Sequence, residues 1–423
     1  MNTTYQLNGY RLHLIPSKKF KDITISVRMK GNLSKDTAAL RSVLGFAMID
    51  STKRHPTQRD MAGYLEELYG AGLSANIFSK GEAQIIAFKS TCINEEFLPV
   101  KEKLILKQID LLKEVLFEPL VDDHAFDKHI IEIKKKEIHD RIQANKDDKV
   151  SYSLDKLFEY MGRGTALALS ASGTLEEVDS IDERKIYDAY CDMITYDDKD
   201  VYVVGDVDES IVEIFDQNLS FSKKMGEPYA SVFTFHSERD EVLEVIEKQE
   251  VVQSKLNLGY TINCDLLSPE NEAFNVFAMI LGGNSQSRLF KVVREKNSLC
   301  YYISASYDAM NGIMIINAGI EMTDYEKAKN LIAQQIVELQ EGHFEQDEID
   351  LMKSMIISSL RKSSDDPDYM ISLAYNRDIV DKKQSVDDYI EAIEKVTKDE
   401  IVACAKQVKL DSVYFLTGKE FHE

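Results

Sequence analysis

Phe46-Ala47-Met48-Ile49 recurs as Phe277-Ala278-Met279-Ile280. Each copy lies in an apolar run at helical spacing, and after each come a second helical segment and a pair of strands. Working outward from the first copy, Ile23-Thr24-Ile25-Ser26-Val27 alternates at period two, and Tyr10–Leu14 alternates in part. Ser34 can cap the helix on which Leu40, Val43, Leu44, Ala47 and Met48 recur. A helix after Pro56-Thr57 carries Met61, Leu65 and Leu68 on one side and stops at Gly70-Ala71-Gly72. Strands over 73–93, helices over 98–116 and 124–145, a loop and helix over 170–196, and the strand Val201–Gly205 complete this half.

The second copy has the same surroundings. A strand over 256–262 precedes it, and a helix beginning in 285–295 follows. Two strands then flank Asn311-Gly312, a strong hairpin signal. Helices over 323–341, 346–363 and 386–407 lead to the strand Val413–Gly418, which closes the half as the strand before Gly205 closes the first. These patterns predict an α+β fold of two duplicated halves, each an antiparallel sheet packed with long helices. The boundary is expected in 219–241, a stretch without periodicity, giving halves at 1–225 and 240–423. A chain of 423 residues exceeds what one hydrophobic core usually serves.

Composition narrows the functional classes. There are 73 acidic and 51 basic residues, a formal charge of −22. Such a chain repels phosphate backbones, so nucleic acid is not an expected partner. Lys134-Lys135-Lys136, flanked by Glu132 and Glu137, reads as the solvated side of a helix. No apolar run reaches 18 residues, so no membrane span is expected, and the polar start Met1–Tyr10 points to a cytoplasmic location. The five cysteines are widely spaced with no Cys-x-x-Cys pair, which argues against a disulfide framework or a thiolate zinc site.

The most specific stretch is Leu281-Gly282-Gly283-Asn284-Ser285-Gln286-Ser287-Arg288-Leu289-Phe290-Lys291-Val292-Val293-Arg294-Glu295-Lys296-Asn297-Ser298-Leu299-Cys300-Tyr301-Tyr302. It resembles the C-terminal half of the pitrilysin/insulinase metallopeptidases: a glycine-rich turn, Ser-Arg-Leu-Phe, Arg-Glu-Lys, then Leu-x-Tyr. The resemblance implies two halves facing across a peptide-binding cleft, with Gly282, Gly283, Arg294 and Tyr301 at the substrate. A guanidinium and a phenol are donors suited to a developing oxyanion. Without the surrounding string, the ordinary reading would pair Arg294 with an acid and make Tyr301 a plain strand residue. Ser298 stands where the family usually has Gly, and Cys300 where it has a small residue.

In the first half, Thr52–Thr57 and Leu65–Ala71 resemble the segment after the family's zinc helix. Active members carry His-x-x-Glu-His on that helix: two histidines one turn apart hold zinc and the glutamate activates water. In this register the motif falls on Ser42-Val43-Leu44-Gly45-Phe46, and no histidine lies between His13 and His55. The third ligand position falls on Glu137, which could equally be a solvated helix glutamate. A rival metal site would use His124, His129 and Glu132, with His124 about 140° around the same helix.

The resemblance therefore implies a noncatalytic subunit that binds no metal or cofactor of its own. A homologous zinc-bearing partner would supply the metal in a heterodimer, and this chain would supply Arg294 and Tyr301 for peptide processing. The alternatives are a scaffold with no catalytic role, a peptide-binding homodimer, and a noncanonical active metallopeptidase.

Overall fold

A computed structural model describes residues 3–99, 102–222, 231 and 233–421. Of the expected boundary 219–241, residues 223–230 and 232 lie outside the described residues. The chain divides into two compact units, each described below by itself. The first comprises residues 1–143, 169–230 and 363–376, and the second 144–168, 231–362 and 377–423.

In the first unit, strands β1 (Thr3–Leu7), β2 (Tyr10–Pro16) and β3 (Asp22–Asn32) precede helices α1 (Ala38–Asp50) and α2 (Gln58–Glu67), and then β4 (Gly72–Lys80) and β5 (Ala83–Ile93). Helix α3 (Leu104–Phe117) leads to a short ladder of β6 (Val121–Asp122) and β7 (Ala125–Phe126), then to α4 (Lys128–Asp147). The last turn of α4, from Ala144, and helix α5 (Lys149–Met161) belong to the second unit. The first unit resumes with α6 (Leu175–Asp179), α7 (Glu183–Tyr196), β8 (Asp198–Gly205) and α8 (Ser210–Asn218). Its sheet runs β1-β2-β8-β3-β5-β4, antiparallel except for the parallel pair β2/β8.

The second unit continues with β9 (Leu243–Lys248), β10 (Ser254–Thr261), α9 (Asn271–Gly282), a π-helix (Phe290–Lys296), β11 (Cys300–Asp308) and β12 (Ile313–Ile320). After α10 (Tyr325–Gln340) and α11 (Gln346–Ser363) comes α12 (Pro367–Asp378), most of which belongs to the first unit. Helices α13 (Val386–Lys395) and α14 (Lys398–Gln407) and strand β13 (Lys409–Thr417) complete the second. Its sheet runs β11-β12-β10-β13-β9, again with one parallel pair, β9/β13. Read from the other edge, β9, β13, β10, β12 and β11 follow the order of β2, β8, β3, β5 and β4, so the two halves share one topology and the α+β class holds. Helices α1 and α9, which carry the repeated tetrapeptide, occupy equivalent places.

Each sheet is covered on both faces. Ile23, Ile25, Val27 and Met29 of β3 enter the core with Val43, Leu44 and Met48 of α1. The alternate residues Thr24, Ser26, Arg28 and Lys30 are buried too. Arg28 lies 4.3 Å from the ring centroid of Tyr375 on α12 and 5.6 Å from those of Phe78 and Tyr202. This aromatic box lets a buried guanidinium trade water for ring faces. In the second unit, Leu157 and Met161 of α5 pack with Ile313, Ile315, Tyr414 and Leu416.

Several local expectations are corrected. Helix α1 starts at Ala38 behind Thr37, with Ser34 bonded to the Thr37 hydroxyl instead of capping. The helix expected from 124 starts at Lys128, because Asp123 and His124 take positive φ (44° and 57°) in the turn between β6 and β7. The helix expected over 386–407 is two helices, and Thr397 opens the second with a capping box to Glu400. The helix expected from 98 begins at Leu104; residues 100 and 101 lie outside the described residues.

Candidate functional site

The stretch Phe290–Tyr301 concentrates backbone irregularity. A π-helix closes i→i+5 bonds and widens one turn, a form common at functional sites. Here it carries Arg294, whose guanidinium lies 4.5 Å from the Phe290 ring centroid and, among the described residues, pairs with no acid. Arg294 is exposed. The segment ahead of it is anchored by Arg288, which donates to the carbonyl of His343 and to Glu348 at 3.1 Å.

Ser298 then takes φ +51°, left-handed backbone that favours glycine. A serine thus stands in backbone suited to the glycine that the resemblance would place here. Strand β11 follows, and between Cys300 and Tyr302 its pairing with β12 slips: Cys300 faces Ile320 and Tyr302 faces Gly319. Tyr301 is the extra residue of this β-bulge. Bulges re-aim side chains, and Tyr301 is 64% exposed, its hydroxyl donating to Glu321 at 3.3 Å. Beside it, burial pushes the Cys300 thiol up to about 11, although Arg294 pulls the other way. Strand β11 is an edge strand, so among the described residues one side of its backbone has no strand partner.

Gly282 has a packing role that the sequence did not disclose. A Cβ there would lie 2.5 Å from the Ala305 nitrogen and 2.6 Å from its Cβ. Helix α9 can lie so close to β11 only because that atom is missing. Gly283 is exposed just beyond it.

The residues that the resemblance assigns to the zinc motif have other surroundings. Ser42 is buried on α1. Gly45 faces Ile86 and Ile77, which would stand 3.0 and 3.2 Å from a Cβ. Phe46 lies under Arg141 of α4, whose guanidinium carbon is 4.3 Å from the ring centroid. One turn further along α1, Asp50 binds the buried Lys134 at 2.5 Å, and Lys134 also binds Glu137 at 2.8 Å. So α4 does lie along the C-terminal part of α1, with Glu137 and Arg141 one turn apart on it. The groups it brings there include two cations. Sequence reasoning had singled out neither Arg141 nor Asp50, and read Lys134 as part of a solvated face.

The histidines nearest α1 in sequence are engaged elsewhere. His55 binds Glu114 at 2.7 Å and stacks on Tyr64, and His13 binds Asp200 at 2.8 Å and Thr4 at 3.0 Å. His124, in its turn, packs edge-on against Tyr187, while His129 and Glu132 are on α4. The proposed common helix for these three does not exist. Among the described residues, no group of three His, Cys, Asp or Glu side chains could hold a metal ion.

Comparison with known proteins identifies the family. Residues 180–356 match the family described as the peptidase M16 inactive domain. The chain is 32% identical over 413 residues to the "Probable inactive metalloprotease YmfF" of Bacillus subtilis (strain 168), covering 97% of this chain and 96% of that protein. It belongs to the M16, or pitrilysin/insulinase, peptidase family, as an inactive member. A second relative, the "Uncharacterized zinc protease YmxG" of the same strain, is 21% identical over 389 residues, covering 88% of this chain and 92% of that one. The crystal structure of a conserved protein from Enterococcus faecalis V583 superposes with a TM-score of 0.92 at 26% identity over the whole of both chains. No helix among the described residues is long and apolar enough to cross a membrane.

Proposed function

We propose that this M16 chain is the noncatalytic, peptide-binding subunit of a two-subunit metallopeptidase. A homologous zinc-bearing subunit would supply metal, water and base, and this chain would supply Arg294 and Tyr301. The observation that carries the reading is the contrast between the two sites. Of the residues that the resemblance assigns to the zinc motif, Gly45 is hemmed in by Ile77 and Ile86 and Phe46 lies under Arg141. Arg294 and Tyr301 instead remain exposed on a π-helix and a bulge, each irregular backbone of a kind that persists where function repays its cost. The open side of β11 adds a means of holding an extended peptide through its main chain. A zinc protease and an inactive homologue named in one bacterium make such a pairing reasonable.

The test is reconstitution. The chain alone is expected to leave peptides intact, and mixing it with its zinc-bearing relative from the same organism is expected to create peptidase activity in a heterodimer. If the relative is equally active alone, or if the mixture stays inert, the complementation reading fails. A scaffold role is then the better account.

A further inference from the structure

At the opposite edge of the second unit's sheet from Tyr301, strand β9 borders a cavity of about 780 Å3. Its apolar floor includes Ile246 of β9 with Tyr325 and Phe421. Tyr325 stacks on Phe415 with ring centroids 4.3 Å apart and meets Phe421 edge-on at 5.9 Å, so the floor is a fixed aromatic block. The rim is acidic: Glu244, Glu326 and Glu420 line it. Lys329 reaches Glu244 at 3.1 Å and Glu326 at 3.0 Å, and Tyr325 also donates to Glu244. Three carboxylates against one ammonium leave two negative charges at the mouth. Glu420 and Glu326 are exposed.

The strand itself supplies the second half of the argument. β9 pairs only with β13, in parallel, and no strand among the described residues covers its outer side. Glu244 and Ile246 are two residues apart, so they share the face that borders the cavity. A peptide added along the outer side of β9 would send alternate side chains to that same face, spaced about 6.6–6.8 Å apart. An aliphatic side chain there would meet the floor, and a cationic one would meet the rim.

We propose that β9 and its cavity form a second peptide-binding site, for an extended segment in which a lysine or arginine is flanked, two residues away, by aliphatic side chains. The pieces fit that class. An open strand edge selects extended main chain, an aromatic floor selects apolar stems, and surplus carboxylate selects a cation. The site is separate from Arg294 and Tyr301 and does not depend on their role.

The test uses the full chain and a fluorescein-labelled probe, Ser-Val-Thr-Lys-Thr-Val-Ser, followed by anisotropy at low and high salt. The probe is expected to bind, and binding is expected to weaken with salt. Replacing its lysine by glutamate, or methylating alternate amide nitrogens, is expected to weaken binding at least roughly tenfold. Glu420→Lys and Glu326→Lys are expected to do the same while leaving the circular dichroism spectrum unchanged. Glu391→Lys, a charge reversal on the exposed side of α13 away from the cavity lining, is expected to have no effect on this binding. Equal affinity for the lysine and glutamate probes, or no probe binding, overturns the proposal on the unaltered protein. Should Glu420→Lys change self-association but not probe binding, β9 is a contact between copies of the chain and the proposal is again overturned.

Discussion

The guanidinium of Arg141 lies over the ring of Phe46, 4.3 Å from its centroid, and Phe46 is the residue that the resemblance assigns to the second histidine of the zinc motif. On that assignment a protein cation stands where the resemblance implies a metal ion in active members. With Lys134 bound between Asp50 and Glu137, this part of the α1–α4 contact is held together without zinc. Restoring ligands alone would leave both cations in place to repel a dication. The purified chain is expected to retain no stoichiometric zinc after dialysis. The triple variant Ser42→His, Gly45→Glu, Phe46→His is expected to retain none either, as measured by elemental analysis. One tightly held zinc in that variant would show that Arg141 and Lys134 are no barrier.

Gly45→Glu on its own is expected to destabilise the first unit by about 2–4 kcal/mol, because a carboxylate would enter a space closed by Ile77 and Ile86. Chemical denaturation measures this, and a midpoint equal to that of the unaltered chain would show that α1 can shift to make room.

Gly282 and Ser298 offer opposite tests on either side of Arg294. Gly282→Ala is expected to cost about 1–3 kcal/mol, since its methyl group would fall on Ala305 of β11. Ser298→Gly is expected to stabilise by about 0.5–1 kcal/mol, since it relieves a φ of +51°. Denaturant midpoints moving the other way in either case would mean the turn has a different backbone in solution.

In the reconstituted pair, Arg294→Ala or Tyr301→Phe is expected to lower kcat by roughly 10²–10³, the usual effect of losing one oxyanion donor, with assembly intact by size-exclusion chromatography. Phe290→Leu removes the ring beneath Arg294 and is expected to have a smaller effect in the same direction. Full activity in both donor variants would favour the scaffold reading.

Burial holds the Cys300 thiol near 11, so at pH 8 about one thiol in a thousand is ionised there. Alkylation of native protein at pH 8 is expected to spare Cys300. Its labelling is expected to rise with pH toward 11, and more slowly in Arg294→Ala, which removes the charge favouring the thiolate. Mass spectrometry of the alkylated peptide follows both, and rapid labelling at pH 8 would show that β11 opens at this point.

Much of this architecture is legible in the sequence, and the failures have physical causes. The repeated tetrapeptide locates α1 and α9, and Asn311-Gly312 marks the β11–β12 turn, because periodicity and turn chemistry are local properties. The loss of zinc ligands is readable from residue types alone. Helix α12 is not, since only Ile371, Ala374 and Tyr375 of its polar sequence are buried. The role of Arg28 follows the same logic: alternation locates β3 but does not disclose that its polar face packs under Tyr375. The bulge at Tyr301 is a register between two strands and has no signature in either alone. The Thr397-x-x-Glu400 cap, by contrast, was present in the sequence as a readable helix start.

The exchange of α5 and α12 between the two units has a consequence for synthesis. The first unit needs residues 363–376, and the second needs residues 144–168. A ribosome that has finished the β8–α8 region has not yet made the helix that shields Arg28. At about 5–20 residues per second, the nascent first unit waits on the order of ten seconds for it. During that interval one face of its sheet is uncovered, which makes the emerging chain a natural client for a chaperone. A gene cut between the halves would leave both products in that state permanently.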